Sequence, residues 1–112
     1  MMTLMMIKNC DTCRRARKAL EGKGIPFQTH DLREDGLSAP LLEHILEHVP
    51  VMTLLNKRST TWRQLDDADK ADIDANKARE LMLANPTLLK RPLLDTGDDI
   101  LVGFRDGDYD NL

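Results

Sequence analysis

The sequence predicts an α/β domain in the order β-α-β, then a run of helices, then β-β and a short closing helix. Three observations carry that prediction. An apolar run at Met2–Ile7 leads into a helical pattern and then a second extended stretch. The middle third has helical rather than alternating apolar spacing. In the tail, two short apolar stretches flank a Thr-Gly-Asp turn.

The first strand is expected over Thr3–Ile7, a short apolar run of the kind that is buried on both faces. A helix follows from Asp11 to about Lys23, ended by Gly22 and Gly24, and Pro26–His30 supplies the second strand. A β-α-β unit implies that these two strands lie parallel. Asp35-Gly36 marks a turn. Ser38 is a suitable N-cap with Pro40 early in the next helix, where a missing N–H costs nothing, and Leu41, Leu42, Ile45, Leu46 and Val49 repeat at helical spacing up to Pro50. From Val51 to Asn85 the pattern stays helical or loop-like. Leu93-Leu94 and Ile100–Val102 around Thr96-Gly97-Asp98 read as a hairpin, and Asp106–Leu112 as one or two helical turns against it. The chain is expected to form a single domain over residues 1–112, with a helical insertion at about 35–89.

At 112 residues the chain can bury one core but not two independent ones. A net charge of −3 and an isoelectric point near 5.5 argue against direct nucleic-acid binding, which calls for a basic face. No stretch approaches the ~20 apolar residues of a membrane span, and the N-terminal apolar run lacks the charged region of a signal peptide. A cytoplasmic, monomeric protein is expected. In a reducing compartment, two cysteines as close as Cys10 and Cys13 are redox-active or metal-binding more often than structural.

These two are the only cysteines, in N-C-D-T-C-R-R, where the first strand gives way to the first helix. Unpaired backbone N–H groups and the positive end of the helix dipole stabilise a thiolate there, and a thiol pKa near 8.5 can drop to roughly 3.5–7.5. Arg14, Arg15, Arg17 and Lys18 are expected to strengthen the positive field, although the arginines also suit a solvated helix face. Cys10 is therefore a candidate nucleophile. Cys13, one helical turn on, could resolve a mixed disulfide as an internal bridge, or could be a buried bystander. The metal alternative pairs the two thiols with His44 and His48, which share a helix face at i, i+4. With no second C-x-x-C, no metal is assigned.

The C-x-x-C at the end of the first strand, with a proline directly before the third, resembles a thioredoxin-like fold carrying a helical insertion between its second and third strands. More narrowly, the chain resembles the ArsC/Spx family, and K-N-C-D-T, N-K-R-S-T-T-W-R (Asn56–Arg63), K-R-P-L-L (Lys90–Leu94) and V-G-F (Val102–Phe104) are most similar to its YffB-type branch. That resemblance implies a glutathione-dependent thiol–disulfide reductase with no bound cofactor, in which Cys10 forms a mixed disulfide. Glutathione or glutaredoxin would be the partner, and a disulfide or small oxyanion the substrate. It further implies that Arg58, Arg91 and Arg105 hold an oxyanion or a glutathione carboxylate, and that Pro92 follows a cis peptide bond presenting backbone next to the thiol. Arginine's planar fork suits either anion. On residues alone, each arginine could equally be a solvated charge, and Trp62 could pack the insertion or shield the thiol. One departure and one shared feature bear on the chemistry. Arsenate reductases of the family resemble C-G-T-S-R where this chain has C-D-T-C-R, which places Asp11 beside the nucleophile. Spx-type regulators share the C-x-x-C, so a redox switch that binds RNA polymerase is the alternative to an enzyme, and a true arsenate reductase is the alternative within the enzyme class.

Overall fold

A computed structural model describes all 112 residues, in two compact units: Met1–Asp35 with Arg91–Leu112, and Gly36–Lys90. The first unit holds β1 (Met2–Met6), α1 (Asp11–Gly22), β2 (Phe27–Asp31), β3 (Leu93–Asp95) and β4 (Ile100–Val102). Its four strands lie in the order β2-β1-β3-β4, with β1 parallel to β2 and antiparallel to β3, and β3 antiparallel to β4. The hairpin turn falls at the predicted Thr96-Gly97-Asp98. β1 begins one residue earlier than the expected Thr3–Ile7, because Met2 pairs with Phe27 at the start of β2, while Ile7 has left the ladder and leads into the turn before Cys10.

Side-chain alternation explains how the sheet seats α1. Leu4 and Met6 from β1 and Leu94 from β3 pack against Cys13, Ala16 and Leu20, which recur at helical spacing on one face of α1. Phe104 and Tyr109 close the cluster, with ring centroids 4.7 Å apart in an edge-to-face arrangement. Met5 and Leu93, paired across the ladder, point to the other sheet face and are also buried. Strands buried on both faces read as continuous apolar runs, which is why the Met2–Ile7 stretch lacks alternation.

The expected closing helix does not form. Asp106–Leu112 is a chain of turns, joined by three-residue backbone bonds from Asp108 to Arg105, Asp110 to Gly107 and Leu112 to Tyr109. Gly107 takes φ +93°, which breaks helical geometry, and the Asp108 carboxylate accepts from the Arg105 N–H at 2.7 Å, a local alternative to helical bonding.

The second unit is helical: α2 (Ala39–Leu46), α3 (Val51–Leu54), α4 (Thr60–Gln64), α5 (Asp67–Lys70), α6 (Ala75–Ala84) and a 3₁₀ turn at Pro86–Leu88. Ser38 caps α2 as predicted, and Ser59 and Asp74 cap α4 and α6, each accepting an N–H three residues on. Leu42, Ile45, Val49, Leu54, Leu55, Ala78, Met82, Leu88 and Leu89 form its buried set. A bridge between Leu55 and Leu89 ties the polar Asn56–Ser59 turn to the end of the unit.

Candidate functional site

Cys10 is the N-cap of α1. Its extended backbone (φ −127°, ψ 114°) turns its Sγ back over the first helical turn, where it accepts the Cys13 N–H at 3.4 Å. An aspartate or serine oxygen takes that position in most helices. Here it is a sulfur, so the group that satisfies the helix end is also an ionisable thiol. Cys10 is half-buried and Cys13 fully buried, and both are free thiols.

Arg91 reaches this site through the sheet. β3 pairs with β1 so that Leu93 faces Met5, and extending that register by two residues puts Arg91 opposite Ile7, three residues before the thiol. The Arg91–Pro92 bond is cis, and the Pro92 carbonyl accepts the Gly103 N–H at 2.8 Å, which anchors this corner to the hairpin.

The electrostatics separate the two thiols. Partial burial, the largest influence, pushes Cys10 up. Hydrogen bonds from the Cys13 thiol and N–H, with the charge and hydrogen bond of the Arg91 guanidinium, outweigh it and hold Cys10 below its ordinary value of 9.0. Burial and the Cys10 sulfur beside it push Cys13 up to about 12. One thiol is poised to ionise, and the other serves it as a hydrogen-bond donor.

The helix arginines, expected to strengthen the positive field, each stand opposite a carboxylate. Arg14 pairs with Asp11 at 3.1 Å, Arg15 with Asp106 at 3.3 Å and Arg17 with Glu21 at 3.8 Å. Arg91 is the arginine among the leading influences that lower the Cys10 pKa. The first unit thus brings together Cys10, Cys13 and Arg91, with Pro92 next to Arg91 along the chain. Arg105 is exposed beyond β4, where its backbone N–H bonds to Asp108.

Arg58 belongs to the second unit. It lies on the Asn56–Ser59 turn, its N–H donating to the Asn56 side-chain oxygen at 3.0 Å, beside a cavity of about 450 Å³ that Met52, Leu55, Lys57 and Lys90 also line. Lys57 and Lys90 went unremarked in the sequence although each directly precedes a selected arginine, in N-K-R and K-R-P. Trp62 is half-buried on α4, with the Lys57 and Lys70 ammonium groups 5.7 and 6.0 Å from its ring centroid. His44 and His48 meet Glu47 on the surface of this unit, their ligand atoms within 4.8 Å of one another. No helix is long and apolar enough to cross a membrane.

A mixed four-stranded sheet with a cysteine starting its first helix and a cis-proline opening its third strand is a thioredoxin-like arrangement. Residues 5–112 match the model of the ArsC family, and the chain belongs to that family. It is similar to the solved structure of a YffB protein, 41% identical with a TM-score of 0.88 over 94% of this chain and 92% of that one. It is likewise similar to an arsenate reductase (ArsC) related protein from Brucella melitensis, at 42% identity and a TM-score of 0.79 over 99% and 95% of the two chains. The global transcriptional regulator Spx of Streptococcus mutans is 30% identical over 95% of this chain and 78% of its own length.

Proposed function

We propose that the protein is a glutathione-dependent thiol–disulfide reductase with Cys10 as its nucleophile. The observation that carries this reading is the Cys10 sulfur at the N-cap of α1, held below its ordinary pKa by donors from Cys13 and the charge of Arg91. In the first step the Cys10 thiolate attacks one sulfur of a disulfide. The S–S bond breaks, a mixed disulfide forms on Cys10, and the other sulfur leaves as a thiolate. When the retained half is glutathione, a second glutathione thiolate attacks it, releasing oxidised glutathione and restoring Cys10. Over the cycle the departing sulfur of the substrate is reduced to a thiol and the sulfur of the attacking glutathione is oxidised in its place, so each turnover consumes one glutathione thiol and releases one oxidised glutathione. Arg91 holds the Cys10 thiolate and a substrate carboxylate, and the backbone beside the cis Pro92 flanks the incoming disulfide. Arg105 is proposed to contact a glutathione carboxylate.

Incubation of the reduced protein with oxidised glutathione, read by intact mass, tests the reading. An adduct one glutathione heavier that disappears in Cys10→Ser is expected. An unmodified wild-type protein, or an adduct that survives in Cys10→Ser, would overturn it.

The similarity to Spx favours a second reading, a redox switch in which a Cys10–Cys13 disulfide alters docking to RNA polymerase. Pull-downs in oxidised and reduced form separate the two, since redox-dependent capture of polymerase subunits is expected of the switch alone. A coupled arsenate assay tests the remaining enzyme alternative, arsenate reduction.

A further inference from the structure

We infer that Asp11 is a specificity-determining residue, which biases the Cys10 nucleophile towards uncharged reacting centres such as disulfide sulfurs and against oxyanions. The inference rests on the reading of Cys10 as the attacking thiol. Asp11 occupies the first position of α1, directly after the nucleophile, and its side chain is 91% exposed, open to the solvent from which a substrate arrives. Its carboxylate engages the Arg14 guanidinium at 3.1 Å, so the cation nearest the thiol along the helix is neutralised.

The other two arginines of α1 are also paired with carboxylates, Asp106 and Glu21. An oxyanion attacked at Cys10 carries its negative charge on the reacting centre itself, so it would meet Arg91 without help from Arg14, whose charge the Asp11 carboxylate offsets. A disulfide reacts at neutral sulfurs and meets no such opposition, because any carboxylates it carries lie several bonds from the atoms exchanged. Removing Asp11 subtracts one negative charge and releases Arg14, while removing Arg14 does the reverse.

Iodoacetamide and iodoacetate provide the test. In both, the Cys10 thiolate attacks a CH₂ and expels iodide, and the reagents differ by one negative charge adjoining that carbon. Second-order rate constants would be measured for the wild type, Asp11→Asn and Arg14→Gln, each normalised to a small neutral thiol, with circular dichroism confirming the fold. Over a separation of one helical turn, about 5–6 Å, a Coulomb interaction in water screened at 0.01 M ionic strength gives a two- to threefold change per unit charge. Asp11→Asn is expected to favour iodoacetate over iodoacetamide by about that factor, Arg14→Gln to disfavour it by a similar one, and high salt to shrink both changes. Equal reagent ratios in all three proteins at low salt would overturn the role of Asp11. A Cys10 that reacts no faster than the reference thiol would instead undercut the nucleophile reading, and the reagent ratio reports on Asp11 in either case.

Discussion

Cys13→Ser separates a resolving thiol from a supporting one. With its pKa pushed up to about 12, Cys13 is ionised at pH 7 to roughly one part in 10⁵, against one in 10² for a thiol at 9.0. The more basic thiolate is intrinsically more nucleophilic, and a Brønsted slope of about 0.4–0.5 returns roughly twentyfold of that thousandfold deficit. The net handicap is about fiftyfold relative to an unperturbed thiol in the same place. It is an upper bound, because glutathione on Cys10 removes the hydrogen bond and charge that Cys10 imposes, while burial, the largest cause, remains. The mixed disulfide is therefore expected to accumulate in the wild type at pH 7, and Cys13→Ser to turn over within about twofold of it. Internal bridging should accelerate about tenfold per pH unit, since the thiolate fraction grows in proportion to hydroxide below the pKa. Time-resolved intact mass with oxidised glutathione, with turnover followed alongside, is the assay. A wild-type product two hydrogens lighter with no adduct at pH 7, and a Cys13→Ser variant slowed more than tenfold, would refute the reasoning.

Cys13 is expected to matter more as a donor than as a nucleophile. Cys13→Ala should therefore move the midpoint of the Cys10 alkylation profile to higher pH, and Cys13→Ser, which keeps a hydroxyl donor, should move it less. Arg91→Ala should raise the same midpoint and the KM for glutathione-bearing substrates, whereas Arg91→Lys should restore the charge but not the two-pronged grip, recovering the midpoint more than the KM. Tyr109 is 1% exposed and its hydroxyl has no hydrogen-bond partner. Tyr109→Phe should consequently be neutral or stabilising by up to about 1 kcal/mol in urea unfolding, and Tyr109→Ala should cost about 3–5 kcal/mol. Burial raises the Tyr109 pKa above its ordinary 10.0, so the unfolded chain loses that proton first as pH rises. Stability should fall above about pH 10, and thermal melts of Tyr109→Phe should show a shallower fall.

The β-α-β unit, the hairpin and the Ser38 cap were legible because each rests on local rules: a contiguous apolar run, a glycine-marked helix end, a turn tripeptide, an N-cap oxygen. The helix expected at Asp106–Leu112 gives way to turns because its aspartates and Gly107 serve local turn bonding as readily as a helix. Tyr109, which packs on Phe104 and lies in the cluster around Cys13, escaped attention in a segment otherwise dominated by acidic residues.

The same division runs through the site. That Cys10 stands at a helix start was readable from the chain alone, because capping and the helix dipole depend only on near neighbours in sequence. The sequence also placed arginines on either side of the fold's long insertion. Only the tertiary structure decided which cation governs the thiol. The strand register sets Arg91 near Cys10 from some eighty residues away, while the arginines one turn along α1 are spent on Asp11, Asp106 and Glu21. It likewise decided that Cys13 is buried and held protonated beside its partner, since desolvation depends on the side chains that Leu94, Phe104 and Tyr109 bring from elements distant in sequence.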